Sequence, residues 1–374
     1  MYAPLGAGHG MAAKAIAEAF ALNYPEFEVK TANVLDFAFE IFRAGLPRAF
    51  NYVTSKVPIL YKWIYIYFNR RSRHVFLNGT SDVFIKRSHF VKFINEFNPD
   101  FILSTNPLPM QLVSLTKHKK IIDIPSANVC TDYGFHSLWY NKDVNYYFVA
   151  NEDIKKALVG HNVSQEKIII TGIPTSSKFS KEINRDKILE SLNFDINIPT
   201  LLIVGGKIKY SALSKIIKRI KENLPAQAGN KMQFIIVAGR DKKLRKELIN
   251  SNLSNGRNIK TFGFVDNIQD YMTASDLILT KAGGLTVAEC MQKNLPMVIN
   301  DFIPGQEEDN VKYIVAHGAG IEVKNMGEAV RTIIDTISRP EKILEMKKNC
   351  RKIAKPGAAK ELADFVVSKL NQTF

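Results

Sequence analysis

A repeated order of apolar strand, turn and amphipathic helix is the feature that most restricts how this chain can fold. Ten short apolar segments have the length and composition of strands, and helical patterns such as 11–23 and 212–223 lie between them. This alternation is typical of parallel sheets covered by helices on both faces. The predicted strands are 27–31, 101–104, 121–129, 144–150, 167–171, 200–204, 233–238, 259–263, 277–280 and 297–300.

A pause in this alternation near residues 174–199 divides the strands into two series. We therefore predict an α/β protein with two doubly wound, Rossmann-like parallel-sheet domains that face each other across a cleft. The N-terminal domain is placed at residues 1–172, a linker at 173–198 and the C-terminal domain at 199–355. A final helix at 356–374 is expected to cross back onto the first domain. Only about three residues precede the first glycine turn, so the usual first strand is expected to be nearly absent, and whether the N-terminus is complete stays open.

The net charge limits the classes of partner. Fifty-one Lys and Arg against 36 Asp and Glu give +15 and a pI near 9.5. Such a field favours nucleic acid, an anionic membrane surface or phosphorylated substrates. Three widely spaced cysteines without a C-x-x-C pair are typical of a reduced, cytosolic chain. No window reaches the ~20 apolar residues that a spanning helix needs.

Residues 41–81 contain seven Lys and Arg, nine aromatic residues and no Asp or Glu. Aromatic rings interleaved with cations suit the interface of an anionic bilayer, which we favour, or single-stranded nucleic acid. A core helix with a solvated basic face is the structural alternative. The candidate membrane residues are Lys56, Lys62, Trp63, Tyr65, Arg70, Arg71 and Arg73.

The opening stretch "GAGHG" places His9 between glycines and directly before an Ala-rich helical pattern. Gly6 and Gly8 permit a tight turn, and the helix N-terminus can hold an anion or an oxygen. His9 would there accept a proton from a substrate hydroxyl at neutral pH. A glycine turn with an incidental capping histidine is the alternative.

Two further motifs follow apolar strands of the second series. "KAGGLTVAEC" leads from Gly283 and Gly284 into a helix whose N-terminus suits a diphosphate, with Thr286 beside it and Glu289 placed to reach a ribose diol. "PGQEEDN" places five hydrogen-bonding side chains, Gln306 and Glu307 first among them, where sugar hydroxyls could bind. A plain strand–helix turn and a polar loop are the alternatives.

Two weaker patterns offer related chemistry. "TDYGFHSLW" carries Asp132 and His136, which could form an acid–base pair but are more commonly a satisfied loop histidine and its neighbour. "GGKIKY" brings Gly205 and Lys207 to the end of a strand, where they could approach a phosphate. The absence of D-x-D predicts that no adjacent carboxylate pair chelates a nucleotide-bound metal, and no H-E-x-x-H motif occurs either. The absence of a P-loop pattern argues against a P-loop ATPase.

Taken together in their order and spacing, these motifs resemble those of the monogalactosyldiacylglycerol synthases and processive diacylglycerol glucosyltransferases. These are inverting family 28 glycosyltransferases of the GT-B fold. The resemblance covers nearly the whole chain and rests on "GAGHG", "STNP", "TDYGFHSLW", "ITGIP", "GFVDNIQDYM", "KAGGLTVAEC" and "PGQEEDN". "PGQEEDN" with "TDYGFH" distinguishes this family from its peptidoglycan relative.

The resemblance implies a role for each matched position. Gly8 and His9 correspond to the acceptor-side loop and its base, with Asp132 and His136 beside it. Phe264 and Val265 correspond to the uracil loop, and Asn106 stands where the family often has histidine. The diphosphate, ribose and hexose ligands correspond to Gly283, Gly284, Thr286, Glu289, Gln306 and Glu307.

The resemblance therefore implies transfer of a hexose from UDP-glucose or UDP-galactose to the free hydroxyl of diacylglycerol. It implies no cofactor and no metal, peripheral attachment to the cytoplasmic face of an anionic phospholipid membrane, and no nucleic-acid partner. It makes no prediction of oligomeric state. The alternatives are another lipid acceptor such as a polyprenyl-diphosphate sugar, a UDP-sugar epimerase, and a non-enzymatic basic membrane- or nucleic-acid-binding protein.

Overall fold

Two parallel sheets form the framework of the protein. The computed structural model describes residues 1–6, 8–75, 86–204, 208–224, 231–251 and 258–372, without the side chains of residues 71–75. The first sheet has four strands in the order β1-β2-β3-β4 and the second has six in the order β10-β9-β8-β5-β6-β7. All of their pairings are parallel, which confirms the predicted fold class.

The first sheet is built from short strands at the centre of the N-terminal half. Its members are β1 (Ile102–Ser104), β2 (Ser126–Val129), β3 (Tyr146–Val149) and β4 (Ile168–Ile170). Beside β1, Tyr2 forms a parallel bridge with Asn33, and Thr105 N donates to the carbonyl of Met1 at 3.0 Å. The predicted strand at 27–31 is wrong, because only this single bridge pairs the region and a 3₁₀ turn follows at Val34–Phe37.

Six helices accompany this sheet within the described residues. They are α1 (Gly8–Asn23), α2 (Glu40–Lys56), α3 (Pro58–Val75), α4 (Arg87–Phe97), α5 (Pro107–His118) and α6 (Glu152–Gly160). Helix α3 packs against the 3₁₀ turn Ser137–Trp139 rather than against the sheet. No helix in the described part of the chain combines the length and apolarity needed to cross a membrane.

The central strands of the second sheet consist of continuous runs of buried, mostly apolar residues. This is expected when helices cover both faces of parallel strands. Its strands are β5 (Thr200–Val204), β6 (Gln233–Val237), β7 (Ile259–Phe262), β8 (Leu277–Lys281), β9 (Met297–Asp301) and β10 (Gly320–Glu322). The sequence analysis identified the first five of these and missed β10, which is only three residues long.

The helices that follow the first sheet include one in the predicted linker. They are α7 (Arg185–Ser191), α8 (Tyr210–Asn223), α9 (Lys242–Ile249), α10 (Ile268–Ala274), α11 (Gly284–Gln292), α12 (Glu308–Ala316), α13 (Met326–Ile337), α14 (Pro340–Ile353) and α15 (Ala358–Leu370). The linker helix α7 packs against α10 of the C-terminal half.

The last helix, α15, lies on the N-terminal half. Its buried residues Leu362 and Val366 share one apolar cluster with Ile16 and Phe20 of α1 and with Phe148 of β3. The chain therefore returns to its first domain after completing the second, and this contact ties the two halves together at a distance from the cleft.

Truncation of the α15 anchor should destabilise the protein. Leu362 is fully buried, so we expect Leu362→Ala to lower the free energy of unfolding by about 2–5 kcal/mol through lost burial and a residual cavity. Urea unfolding measures this. The matched control is Leu344→Ala on α14, whose side chain is 66% exposed and should change stability by less than about 0.5 kcal/mol. Equal effects of the two variants would contradict the packing of α15.

Candidate active site

Two helix N-termini face each other across the cleft between the sheets. Helix α1 begins at Gly8, after a turn in which Gly6 has a φ of +91° that favours glycine. Helix α11 begins at Gly284. A Cβ atom placed on Gly8 would lie 3.7 Å from the Cβ of Leu285, in the first turn of α11. The free N–H groups and positive ends of both helices are thus directed to one small region.

His9 is buried in the first turn of α1, and its tautomer follows from its partners. Its Nδ1 lies 2.8 Å from the carbonyl oxygen of Thr105, which can only accept, so Nδ1 carries the proton. The hydroxyl of Thr131 lies 2.9 Å from the same nitrogen and shares that hydrogen bond. Nε2 is left unprotonated, with no hydrogen-bond partner among the described residues.

Burial lowers the pKa of His9 from 6.5 to about 4, and the hydrogen bond to Thr105 raises it only in part. The imidazole is therefore neutral at physiological pH. It can accept a proton at Nε2, and the resulting imidazolium would keep its Nδ1–H bond to the Thr105 carbonyl.

The 131–137 segment of the N-terminal half is inserted against the start of α11. A Cβ atom on Gly284 would overlap the carbonyl oxygen of Thr131, and one on Gly134 would overlap the side chain of Asp309. Tyr133 also stacks on Tyr313 of α12, with ring centroids 4.6 Å apart. These two glycines are required by close approach between the domains, and the cleft is closed in this structure.

Asn310 joins the two halves with both ends of its amide. Its Oδ1 accepts from Tyr133 N at 2.7 Å, and its Nδ2 donates to Asp132 Oδ1 at 3.1 Å and to the carbonyl of Ala282 at 2.9 Å. The side chain is fully buried. The sequence analysis placed Asn310 only among the five possible sugar-binding side chains of "PGQEEDN". Its structural role could not be predicted, because its partners Asp132 and Ala282 are 178 and 28 residues away.

Asp132 lies in the closed cleft as predicted. Burial raises its pKa from 3.8 to about 6; the hydrogen bond from Asn310 opposes this, while the nearby Glu307 charge adds to it. A carboxyl group in this state exchanges protons near neutral pH, which suits either an acid–base or a positioning role.

His136 does not support its predicted catalytic role. Its Nδ1 accepts from Leu138 N at 3.1 Å, so Nε2 carries the proton and donates to the carbonyl of Tyr65 at 2.9 Å. Both ring nitrogens are thereby bonded to backbone, and no lone pair remains for a substrate. The structure gives His136 the role of fixing the 131–137 segment to α3.

The 303–308 segment contains the predicted hexose ligands Gln306 and Glu307. Glu307 is buried; its Oε1 lies 2.8 Å from Lys281 Nζ and its Oε2 accepts from Ile303 N at 2.7 Å. Gln306 accepts a hydrogen bond from the hydroxyl of Tyr61 at 2.7 Å, and its amide lies close enough to Asp132 to lower the pKa of that carboxyl group in part. Both side chains are at the cleft but hold protein groups, and their role toward a hexose stays a prediction.

Glu289 stands one turn inside α11 with no hydrogen-bond or ion-pair partner among the described residues. Burial raises the pKa of its carboxyl group from 4.5 to about 8. An unpartnered carboxyl group in a helix that starts at the cleft matches the expectation of a diol ligand. Gly283 caps the same helix, and a Cβ there would lie 3.5 Å from Glu307 Oε1. Thr286 lies half-buried in its first turn.

The remaining residues predicted to bind the UDP-sugar or the acceptor lie in different surroundings. Phe264 is exposed beneath the guanidinium of Arg240, which lies 5.0 Å from the ring centroid, and Val265 packs against the core behind it. Gly205 and Lys207 lie outside the described residues. Asn106 caps α5 by accepting from Leu108 N at 3.0 Å, so its side chain already has a structural role.

The predicted membrane residues divide between two faces of α2 and α3. Lys56, Trp63 and Arg70 are exposed, with Trp63 67% accessible. Lys62 instead pairs with Glu308 at 2.7 Å, and Tyr65 is half-buried against Gly305 and His136. Arg71 and Arg73 lie in α3, but their side chains are outside the described residues. Both side chains are thus engaged by protein groups, and a contact of Lys62 or Tyr65 with a membrane stays a prediction.

Lys281, Thr105, Thr131 and Tyr61 complete the site and were not singled out from the sequence. Lys281 stands in the "KAGG" motif and could have been chosen as a cation beside a helix start. Tyr61 carried no such signal, because its role depends on contact with the other domain. Within the described ranges, no three His, Cys, Asp or Glu side chains lie close enough to hold a metal ion. The expectation of a metal-free reaction stays a prediction.

Comparison with known proteins identifies the family. The monogalactosyldiacylglycerol (MGDG) synthase profile matches residues 9–175, and the glycosyltransferase family 28 C-terminal domain matches residues 200–365. A processive diacylglycerol beta-glucosyltransferase of Bacillus cereus (strain AH820) is 30% identical over 271 residues, 72% of this chain and 68% of that protein. The chain belongs to the monogalactosyldiacylglycerol synthase family. The resemblance stated from the sequence motifs is confirmed.

Solved structures share the fold of this monogalactosyldiacylglycerol synthase family member. MurG of Acinetobacter baumannii aligns with a TM-score of 0.55 at 16% identity, covering 76% of this chain and 77% of that one. A putative UDP-N-acetylglucosamine 2-epimerase of Listeria monocytogenes aligns at 0.56 and 13% identity, covering 77% and 79%. At such identities the likeness concerns the two-domain GT-B architecture alone.

Ionisation of Glu289 should reduce stability as the pH rises. The folded protein keeps this carboxyl group protonated up to about pH 8, whereas the unfolded chain releases the proton near 4.5, so its contribution to stability falls across that interval. We expect the Tm of Glu289→Gln, relative to wild type, to be at least ~2 °C higher at pH 8.5 than at pH 5.

The control for this measurement is Glu345→Gln on α14, an exposed residue whose substitution should give the same Tm difference at both pH values. A Tm difference for Glu289→Gln that does not change with pH would contradict the burial of this carboxyl group in the folded protein.

Proposed function

We propose that this protein transfers a hexosyl group from a UDP-hexose, UDP-glucose in the first instance, to the free hydroxyl of diacylglycerol. The observation that carries this proposal is the neutral His9, whose Nε2 is unprotonated and whose neighbour Gly8 lies against the N-terminus of α11. Family membership supplies the substrate classes, because the relatives are named diacylglycerol glucosyltransferases.

The reaction is a single displacement at the anomeric carbon. The acceptor oxygen forms a bond to that carbon while the bond to the diphosphate oxygen breaks, and the hydroxyl proton passes to His9 Nε2. The sugar passes through an oxocarbenium-like state. One displacement inverts the anomeric centre, so an α-linked donor gives the β-product that the relatives' name describes.

The leaving UDP gains negative charge, which the start of α11 is suited to stabilise. The backbone N–H groups that follow Gly283 are free for an anion, and Lys281 adds a cation 2.8 Å from Glu307. Glu289 would bind the ribose hydroxyls, and Phe264 and Val265 would border the uracil. The family resemblance assigns these last contacts, and no metal takes part in the reaction as we propose it.

We further propose that the exposed face of α2 and α3 binds an anionic phospholipid bilayer at the cytoplasmic face. Ile59, Leu60 and Trp63 are more than half exposed on α3, and Lys56 and Arg70 flank them. Apolar and aromatic side chains bordered by cations suit the bilayer interface, where each Lys or Arg contributes ~1 kcal/mol.

The decisive experiment is a transfer assay on mixed micelles of diacylglycerol and anionic phospholipid, with UDP-glucose and UDP-galactose supplied separately in the presence of EDTA. A β-hexosyl diacylglycerol establishes the reaction, the donor and metal independence together. Release of UDP without a lipid product would mean that another lipid is the acceptor. Conversion of the UDP-hexose to an isomer in the absence of lipid would favour the epimerase reaction. The chain shares its fold with a putative UDP-N-acetylglucosamine 2-epimerase.

His9→Ala should lower kcat by about 10²–10⁴-fold while UDP still binds, because the substitution removes the base and leaves the donor helix intact. Protonation of His9 should contribute nothing to the pH profile of the wild-type rate between pH 8 and pH 5.5, since its pKa is about 4; Asp132 and Glu289, with pKa values of about 6 and about 8, are the groups that titrate in that range. Transfer kinetics and UDP titration calorimetry measure both effects. Full activity of His9→Ala would contradict its role as base.

Replacement of the exposed aromatic residue Trp63 should weaken membrane binding. We expect Trp63→Ser to reduce cosedimentation with vesicles of phosphatidylglycerol and phosphatidylcholine by ~10-fold, through loss of interfacial burial. The control is Phe264→Ser, an exposed aromatic residue of the other domain that should leave vesicle binding unchanged. Equal vesicle binding by wild type and Trp63→Ser would exclude this face as the docking surface.

A further inference from the structure

Helix α3 contacts both the solvent and the donor domain, and it does so with opposite faces. At 100° per residue, positions 61, 62, 65 and 69 lie on one side of the helix, while positions 59, 60, 63, 67 and 70 lie on the other. The second set forms the exposed face described above. The first set contacts protein groups.

The inner face of α3 holds the 303–308 segment of the C-terminal domain at three points. Tyr61 Oη donates to Gln306 Oε1 at 2.7 Å, and Lys62 Nζ pairs with Glu308 Oε1 at 2.7 Å. A Cβ atom on Gly305 would meet the ring of Tyr65 at 3.0 Å, so this glycine, with a φ of +85°, is packed directly against α3.

The same face also holds the 131–137 segment of its own domain. His136 donates to the carbonyl of Tyr65 at 2.9 Å, and Ser137 N donates to Asn69 Oδ1 at 2.8 Å. One helix therefore fixes both segments that meet at Asp132, Gln306 and Asn310. A rotation or displacement of α3 would move the two sides of the closed cleft together.

We propose that α3 couples the bilayer to the hexose end of the donor site: binding of its outer face to an anionic surface fixes the helix, and Tyr61 and Lys62 thereby hold the 303–308 segment in its closed position. This inference rests on the proposed function. Because the membrane then bears part of the cost of ordering that segment, UDP-hexose binds more tightly to the membrane-bound protein. Linkage requires the reverse effect, so UDP-hexose strengthens vesicle binding by the same factor.

The coupling acts on the hexose more than on the nucleotide. The contacts of α3 reach Gln306 and Glu308, whereas Phe264, Val265 and Glu289 have no contact with α3 among the hydrogen bonds and ion pairs described. UDP, which lacks the hexose, is therefore the matched control ligand.

The experiment is calorimetric titration of the full chain with UDP-glucose and with UDP, each with and without phosphatidylglycerol-containing vesicles that hold no diacylglycerol. We expect the vesicles to lower the Kd of UDP-glucose about fivefold or more and that of UDP less than twofold. Cosedimentation in saturating UDP-glucose should show the same factor in vesicle affinity.

Variants test the path of the coupling. Tyr61→Phe keeps the ring and removes the hydroxyl, and Lys62→Glu replaces the ion pair with two like charges. Each should reduce the vesicle effect on UDP-glucose to less than twofold while vesicle binding persists. The double variant Lys62→Glu with Glu308→Lys restores the pair and should restore the effect. Lys348→Glu, an exposed residue on α14, makes the same change in net charge and should leave the effect intact.

Failure of the inference and failure of the proposed function give different results. Wild-type protein that binds both vesicles and UDP-glucose, but with independent affinities, overturns the coupling and leaves the transferase proposal standing. Equal shifts for UDP and UDP-glucose, or loss of coupling in Lys348→Glu, also overturn it. Wild-type protein that binds no UDP-sugar, or no vesicles, removes the proposed function on which the coupling rests.

Discussion

The closed cleft depends on one buried amide. Asn310 accepts from the backbone of Tyr133 in one domain and donates to Asp132 of that domain and to Ala282 of its own. Since its side chain has no access to solvent, loss of any of these bonds leaves a buried polar group unsatisfied, at a cost of about 1–3 kcal/mol. The position of the 131–137 segment against α11, and with it the contact between Gly284 and Thr131, follows from these bonds.

Burial gives the ionisable groups of the cleft their unusual charge states. It makes His9 a neutral base with a pKa of about 4, and it raises the pKa of Asp132 to about 6 and that of Glu289 to about 8. The raised pKa values make Asp132 and Glu289 easier to protonate than ordinary carboxyl groups. Protonation of these groups reduces the electrostatic repulsion of the diphosphate that we propose for this site. The helix N-termini and Lys281 then supply the favourable field.

The basic and aromatic residues of segment 41–81 are divided between two surfaces, one facing solvent and one facing the protein. From the sequence, residues 41–81 read as a single surface with cations and rings distributed along it. In the folded protein, helical periodicity divides α3, so that Trp63 faces solvent while Tyr61 and Tyr65 face the protein. The cation Lys62 belongs to an ion pair with the other domain, and the acidic residue it needs lies about 250 positions away in the chain.

The sequence by itself determined the fold class, the cleft and the helices that follow the glycine turns at Gly8 and Gly283, because strand and helix periodicity and glycine turns are local properties. It also brought His9, Gly284 and Glu289 to notice, since a parallel sheet places every strand-to-helix turn at the same edge. The tertiary structure alone decided what these groups do: the tautomer of His9 depends on Thr105 and Thr131, and the bonds of His136 depend on Tyr65. The short edge strand β10, the failed strand at 27–31 and the role of Asn310 were equally inaccessible. The structure of these three features depends on contacts with residues distant in the chain. A local sequence pattern does not indicate which distant groups will be in contact or how deeply they will be buried.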